Sequence, residues 1–248
     1  MIDALRNSVA HVFVDHLDSP SLTDTDEHHL SRVLRLRDGE SVTASDGRGG
    51  WRTCVWADGS LRVAGDVVTA AASAQRIGVA FVPVKGDRNE WSVQKLTEIG
   101  VDDIVLLAPT RRSVVRWSDA EKQLRKLRVV AREAAMQARR VWLPAVSGLV
   151  SLADALAMPG AAVADPSGGP FFATDDASRA AAQFIIVGPE GGFDADEVSA
   201  DVPCVSLGDT VLRAETATLV AATLLAARRG ALLGTALHHT ATPAKGPS

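Results

Sequence analysis

The spacing of hydrophobic positions changes near residue 72 of this chain. Before that point, short apolar stretches are cut by turn pairs: Asp38-Gly39, Asp46-Gly47, Gly49-Gly50 and Asp58-Gly59. Residues 11–14, 51–56 and 61–64 read as strands at the close turn spacing of a small β-barrel. Residues 24–37 read as a short helix with Leu30, Val33 and Leu34 on one face. Small and polar residues at 70–75 form a linker. Beyond it, apolar runs alternate with stretches of helical period. A strand is expected at 77–84, with Pro83 marking an edge or a strand end. A helix over 88–99 carries Val93, Leu96 and Ile99 in register and stops at Gly100. The next strand is 103–108. Ser118 and Glu121 form a capping box for a helix running to about residue 140, with Leu124, Leu127, Ala131, Ala134 and Ala138 as its stripe. Strands at 161–164, 184–187 and 204–207 complete the set. This alternation predicts an α/β domain whose mostly parallel sheet is covered on both faces.

The last helix, 216–227, is apolar on nearly every side. It is buried either under the chain's own loops or against a second subunit. Arg228-Arg229-Gly230 closes it, residues from about 232 read as a frayed tail, and disorder is expected from about 235.

Composition narrows the classes. The chain has 248 residues, room for one large domain or one ordinary and one small one. Hydrophobic residues make up 46% and charged residues 23%, which excludes a disordered chain as the default. No apolar run approaches a membrane span, and the N-terminus lacks the pattern of a signal peptide. Cys54 and Cys204 are far apart, so a reduced cytoplasmic setting is expected, not a disulfide framework. The net charge of −4 means a polyanion must be met by local basic patches. Arg32, Arg35 and Arg37 crowd the first helix, as a solvated face or as a surface for a nucleic-acid backbone. The pair His28-His29 has no second ligand pair at metal spacing, so no metal is expected.

Candidate chemistry lies in two later stretches. Phe184-Ile-Ile-Val187 ends in Gly188-Pro189-Glu190-Gly191-Gly192-Phe193, and Asp194 with Glu197 reads as an N-cap pair opening a helix. Strand, glycine loop and helix start is where open α/β sheets bind ligands, although a tight strand-to-helix turn would also account for it. The second stretch, Leu207-Gly208 followed by Val211-Leu-Arg213-Ala-Glu215-Thr216-Ala217, leads into the apolar helix. Arg213 and Glu215 there are an ion pair fixing the loop or a second wall of the same pocket. Phosphate-loop, dinucleotide and nucleophile-elbow motifs are missing. The remaining design is a backbone-lined pocket with carboxylates and an arginine, suited to a cofactor that carries the hard chemistry.

At these residues the chain resembles the SPOUT-class ribosomal RNA small subunit methyltransferase E family, whose members methylate N3 of a uridine in 16S rRNA. The likeness runs through His28-His29-Leu30 with Val33-Leu34-Arg35, Lys95-Leu-Thr-Glu-Ile-Gly100-Val101, Arg112-Ser113-Val114 and Glu133-Ala-Ala-Met-Gln137-Ala-Arg139. It is strongest in 187–193 and in 207–217. The resemblance implies a PUA-like RNA-binding β-barrel over 1–72 and a SPOUT methyltransferase domain over 73–248 with a C-terminal trefoil knot. It implies a homodimer with the site at its interface, acting on 16S rRNA or the small ribosomal subunit.

S-adenosylmethionine is then the expected cofactor, held by Gly188, Pro189, Glu190, Gly191, Gly192, Leu207, Gly208, Leu212, Thr216 and Ala217. His29, Arg32, Arg35, Arg112 and Arg139 are the implied RNA contacts. Glu215, or failing it Glu190, would accept the uracil N3 proton, and Arg213 would stabilise charge on the flanking carbonyl oxygens. Three positions depart from the family pattern: His11 and Thr210 stand where arginines are usual, and Ala138 where a serine is. The competing readings are a SPOUT enzyme acting on tRNA or another rRNA site, and a non-catalytic RNA-binding assembly factor.

Overall fold

In the computed structural model, which describes residues 2–172 and 177–239, the contacts fall into two units. One comprises the chain up to Ala74 together with Lys126–Pro144; the other comprises Gln75–Arg125 and the chain from Ala145 onward.

The first unit opens with α1 (Ile2–Asn7), β1 (Ala10–Phe13) and α2 (Asp24–His28). Then follow β2 (Ser41–Ser45), β3 (Gly50–Ala57), β4 (Ser60–Val63) and β5 (Val68–Thr69). The sheet order is β1-β2-β3-β4, with β5 against β3. β1 runs parallel to β2, and the remaining pairs are antiparallel. Val12, Val14, Val42, Ala44, Cys54, Trp56 and Leu61 meet Leu30 and Leu36 in its core. Between β3 and β4, Asp58 and Gly59 both take positive φ, 50° and 75°. Two such residues give the turn twist a hairpin needs.

The helix expected over 24–37 differs in a way that matters. Thr23 caps it by accepting from the Asp26 N–H at 3.1 Å. After His28 the backbone widens into a π turn over His29–Val33. That extra residue rotates the following side chains, so Leu30 stays buried while Val33 and Leu34 swing out to 60% and 44% exposure. Leu36 takes their place in the core. Buried Asp26 and half-buried Arg132 form a bidentate pair with contacts of 2.6 and 3.0 Å. Residues 126–144, which the family resemblance placed within a domain over 73–248, group with this unit through visible contacts. Arg132 also reaches the Phe13 carbonyl, Arg139 donates to the carbonyls of Ser8 and Val9, and the Trp142 indole donates to that of Ala70.

The second unit contains β6 (Gly78–Phe81), α3 (Arg88–Ile99), β7 (Asp103–Leu107), α4 (Ala120–Gln137), β8 (Ala145–Val150) and α5 (Leu152–Leu156). It continues with β9 (Ala161–Pro170), α6 (Ala177–Ala180), β10 (Phe184–Val187), β11 (Cys204–Ser206) and α7 (Ala214–His239). The division between units falls within α4. Six strands form one sheet in the order β11-β9-β10-β6-β7-β8, parallel throughout. Both faces are covered: Ala80, Val105, Val163 and Ile186 join the core with α5, and the alternate residues Val79, Ile104 and Ile185 are equally buried. β6 is an inner strand, so Pro83 marks its end, not an edge.

Three helix boundaries depart from expectation. Asp119, not Ser118, caps α4: its carboxylate accepts from the Lys122 N–H at 2.9 Å. No helix follows Asp194; Glu197 does reach back to the Asp194 N–H at 2.9 Å, but the pair closes one turn. Its neighbours Asp194 and Asp196 are occupied by arginines from another loop, described below. α7 passes through Gly230 to His239, because Arg228 and Arg229 reach sideways instead of capping. Arg229 bonds Asp102 at 2.8 Å and the Gly100 carbonyl at 3.0 Å, while the Arg228 guanidinium lies 3.8 Å from the Phe171 ring centre. One glycine costs a helix about 1 kcal/mol, too little to stop an Ala- and Leu-rich run. The tail expected from 235 is therefore helical to 239; residues 240–248 lie outside the described residues.

Candidate cofactor site and its carboxylate–arginine frame

Two strands end, and the middle of a third passes between them, at one cavity of about 310 Å3. β10 runs into the glycine loop 188–193, β9 contributes 164–166 before it ends, and β11 leads into 207–212 ahead of α7. The carboxyl ends of parallel strands are where such sheets leave a crevice, since each chain must turn away to its next element. Of the residues expected at a cofactor, Gly188, Pro189, Glu190, Gly191, Gly192, Leu207, Gly208, Leu212 and Ala217 line this cavity. Thr216 does not; it is exposed on the first turn of α7.

The loop's shape follows from its residues. The Gly192 N–H donates to the Pro189 carbonyl at 2.8 Å, closing a turn, and Gly192 leaves that turn at φ +71°. A β-carbon there would be strained at that φ. Gly208 sits at φ +147°, and the Ser206 hydroxyl donates to its carbonyl at 3.0 Å. A backbone wall of this kind can lie against a flat ring, with Val187, Leu207 and Leu212 as apolar surface.

Sequence spacing missed Ala164, Asp165 and Pro166, which line the cavity from β9. Only strand order reveals them, because β9 lies between β10 and β11. Asp165 adds a carboxylate at the wall. Burial, and then that carboxylate, push the Cys204 thiol above its usual range, so it stays protonated and is no nucleophile. Among the described lining residues none is Cys, His or Lys.

Arg213 and Glu215 do not pair with each other. Arg213 is exposed ahead of α7. Glu215 pairs with Arg88 at the start of α3, at 3.3 Å, and the same guanidinium lies 3.9 Å from Glu190 of the glycine loop. The Glu215 side chain is 13% exposed, and its Oε2 is buried with no hydrogen-bond partner. A buried carboxylate oxygen left so is costly, about 1–3 kcal/mol, unless a ligand or water completes it.

The expected RNA contacts fall into two groups. His29, Arg32 and Arg35 are exposed on and just after the π turn, with Arg35 in left-handed backbone at φ 54°. Arg139 is half-buried with its guanidinium on two backbone carbonyls, and burial lowers its pKa. Arg112 bonds the glycine loop itself. His11, at the position where an arginine is usual, points inward: Nδ1 meets the Thr43 hydroxyl at 2.8 Å and Nε2 the Arg140 carbonyl at 3.1 Å.

The whole chain can now be set beside known proteins. Residues 71–226 match the RNA methyltransferase domain, and residues 22–58 match the RNA methyltransferase PUA domain. A ribosomal RNA small subunit methyltransferase E from Mycobacterium tuberculosis is 32% identical over 225 residues, covering 81% of this chain and 84% of that protein. The chain belongs to this methyltransferase family. Its fold agrees with solved relatives. A Legionella pneumophila protein solved in complex with S-adenosylmethionine is 25% identical with a TM-score of 0.71, covering 89% of this chain and 97% of that one. A ribosomal RNA small subunit methyltransferase E from Neisseria gonorrhoeae bound to S-adenosylmethionine is 25% identical with a TM-score of 0.68, covering 86% and 94%. The two motifs that carried the resemblance, 187–193 and 207–217, supply the loops that meet at the cavity. Among the described residues no helix is long and apolar enough to cross a membrane, and no group of three His, Cys, Asp or Glu is placed to hold a metal.

Proposed function

We propose that this chain methylates N3 of a uridine in 16S rRNA of the small ribosomal subunit, with S-adenosylmethionine as methyl donor. The observation that carries the reading is the convergence of both family-specific loops on one cavity at the carboxyl ends of β10 and β11. The residues fit the cofactor. A volume of about 310 Å3 is at the lower end for a small-molecule site, the glycine walls admit close backbone approach, and Asp165 and Glu190 offer carboxylates to a cationic ligand. When bound, the cofactor supplies an activated methyl group.

The chain's own part is positioning and proton handling. Gly188–Gly192 and 207–212 hold the adenosyl portion and exclude water from it. Arg88 fixes one oxygen of Glu215, and the other, Oε2, buried without a partner and outside the cavity lining, accepts the proton of uracil N3 once the incoming base uncovers it. Arg213, exposed just ahead of α7 and outside the cavity lining, is assigned the role of offsetting charge on the base's carbonyl oxygens as that proton leaves. His29, Arg32 and Arg35 contact RNA backbone from the first unit, read as a closed PUA-like barrel over 1–72. The second domain, 73–248, is read as a knotted SPOUT domain in a cytoplasmic homodimer. Leu219, Val220 and Leu224, only half-buried within one chain, support burial of α7 against a second copy.

Calorimetric titration with S-adenosylmethionine tests the reading at its base. Saturable one-site binding is expected; an absence of binding at millimolar cofactor would leave an RNA-binding assembly factor as the better account.

A further inference from the structure

Two consecutive arginines beyond β7 hold the glycine loop in place. The turn that presents them is closed by three hydrogen bonds between Thr110 and Ser113. The Ser113 Oγ accepts from the Thr110 N–H at 2.7 Å, the two hydroxyls meet at 3.0 Å, and the Ser113 N–H donates to the Thr110 carbonyl at 3.1 Å. From this rigid turn Arg112 reaches the loop twice. Nη1 donates to the Gly191 carbonyl at 2.7 Å and Nε donates to Asp194 at 2.5 Å. Its aliphatic stem lies on Gly191, where a β-carbon would come within 3.2 Å of Cδ. Arg111 grips the next residues: Nη1 meets both Asp196 oxygens at 2.6 Å and its N–H donates to Glu197 at 3.1 Å.

We infer that Arg112, seconded by Arg111, is a positioning residue for the cofactor loop and not an RNA contact. The inference rests on the cofactor reading above. Asp194 offsets the guanidinium charge at 2.5 Å while Nη1 is held by the loop carbonyl, so the charge a phosphate would need is already met within the loop. A guanidinium fork suits that double contact and an ammonium does not. The glycine at 191 then has a second reason: it makes room for the arginine stem.

The test uses full-length protein with Arg112→Ala and Arg112→Lys. Amide hydrogen exchange over 188–194, measured without cofactor, should speed up in both variants. Dissociation constants for S-adenosylmethionine should rise on the order of tenfold in both, since Lys restores the charge but not the fork. RNA affinity and its salt dependence should match the parent protein. The idea is overturned if loop exchange and cofactor affinity are unchanged. It is equally overturned if RNA affinity falls in the Ala variant with a salt slope reduced by about one and is restored by Lys, the behaviour of a phosphate contact. Because the exchange measurement needs no ligand, it decides the clamp even if the parent protein binds no cofactor.

Discussion

Acidification should loosen the first unit through one histidine. His11 is 3% exposed, with its ring edge-on to Phe13 at 5.4 Å between centres. The Arg140 carbonyl can only accept, so Nε2 carries the hydrogen and Nδ1 accepts from the Thr43 hydroxyl. The neutral ring is therefore satisfied on both sides. Burial, and to a lesser degree the nearby Arg139 charge, lower its pKa from 6.5 to about 4, against the bond to Arg140. The folded state thus binds a proton less readily than the unfolded one. The stability this represents is fully present above 6.5 and is lost as pH falls toward about 4. A shift of that size corresponds to about 3 kcal/mol. Urea unfolding of the parent and of His11→Gln, followed from neutral pH to about 4, isolates the contribution from other titrating groups. The stability difference between the two should fall by about 3 kcal/mol over that window. A difference that stays constant, or an imidazole signal for His11 titrating at its ordinary value, would refute the reasoning.

Other consequences follow from the same contacts. Arg132→Met strands the buried Asp26 carboxylate and should cost about 3 kcal/mol of stability, read by denaturant midpoint. Arg32→Ala and Arg35→Ala should each reduce the salt slope of RNA binding by about one while leaving cofactor affinity alone. Gly192→Val forces a β-branched residue to φ +71° at the cavity wall. Cofactor affinity should drop on the order of tenfold or more in calorimetry, beyond the fall in melting temperature that about 1–3 kcal/mol of backbone strain brings. Arg213→Ala should reduce single-turnover rate far more than cofactor affinity, because its contact forms as charge develops; equal losses would mark it as structural.

Much of the second unit was legible because its signals are local. α3 has the bounds its period and Gly100 require, the glycine standing at φ +100°. β10 ends where Gly188-Pro189 interrupts an apolar run. β2 and β8 carried no such signal: Ser41–Ser45 and Ala145–Val150 are mixed small and polar residues, made into strands by their neighbours. The π turn after His28 was invisible because a change of helical pitch depends on what Leu30 and Leu36 pack against. Asp165 was missed at the site for a related reason, as it reaches the cavity through strand order and belongs to no motif. Within the arginine pair at 111–112, Arg112 was placed among the RNA contacts by the family resemblance alone. The pair's carboxylate partners lie more than eighty residues away, at 194–197.

On the proposed function, this cavity serves methyl transfer to one uridine of 16S rRNA. Mass mapping of 16S rRNA from a strain lacking the gene, and from that strain carrying the parent chain or Arg213→Ala, tests it most directly. A single N3-methyluridine should disappear on deletion, return with the parent chain, and fail to return with the variant. An unchanged methylation map after deletion, or loss of a methyl group from tRNA instead, would contradict it.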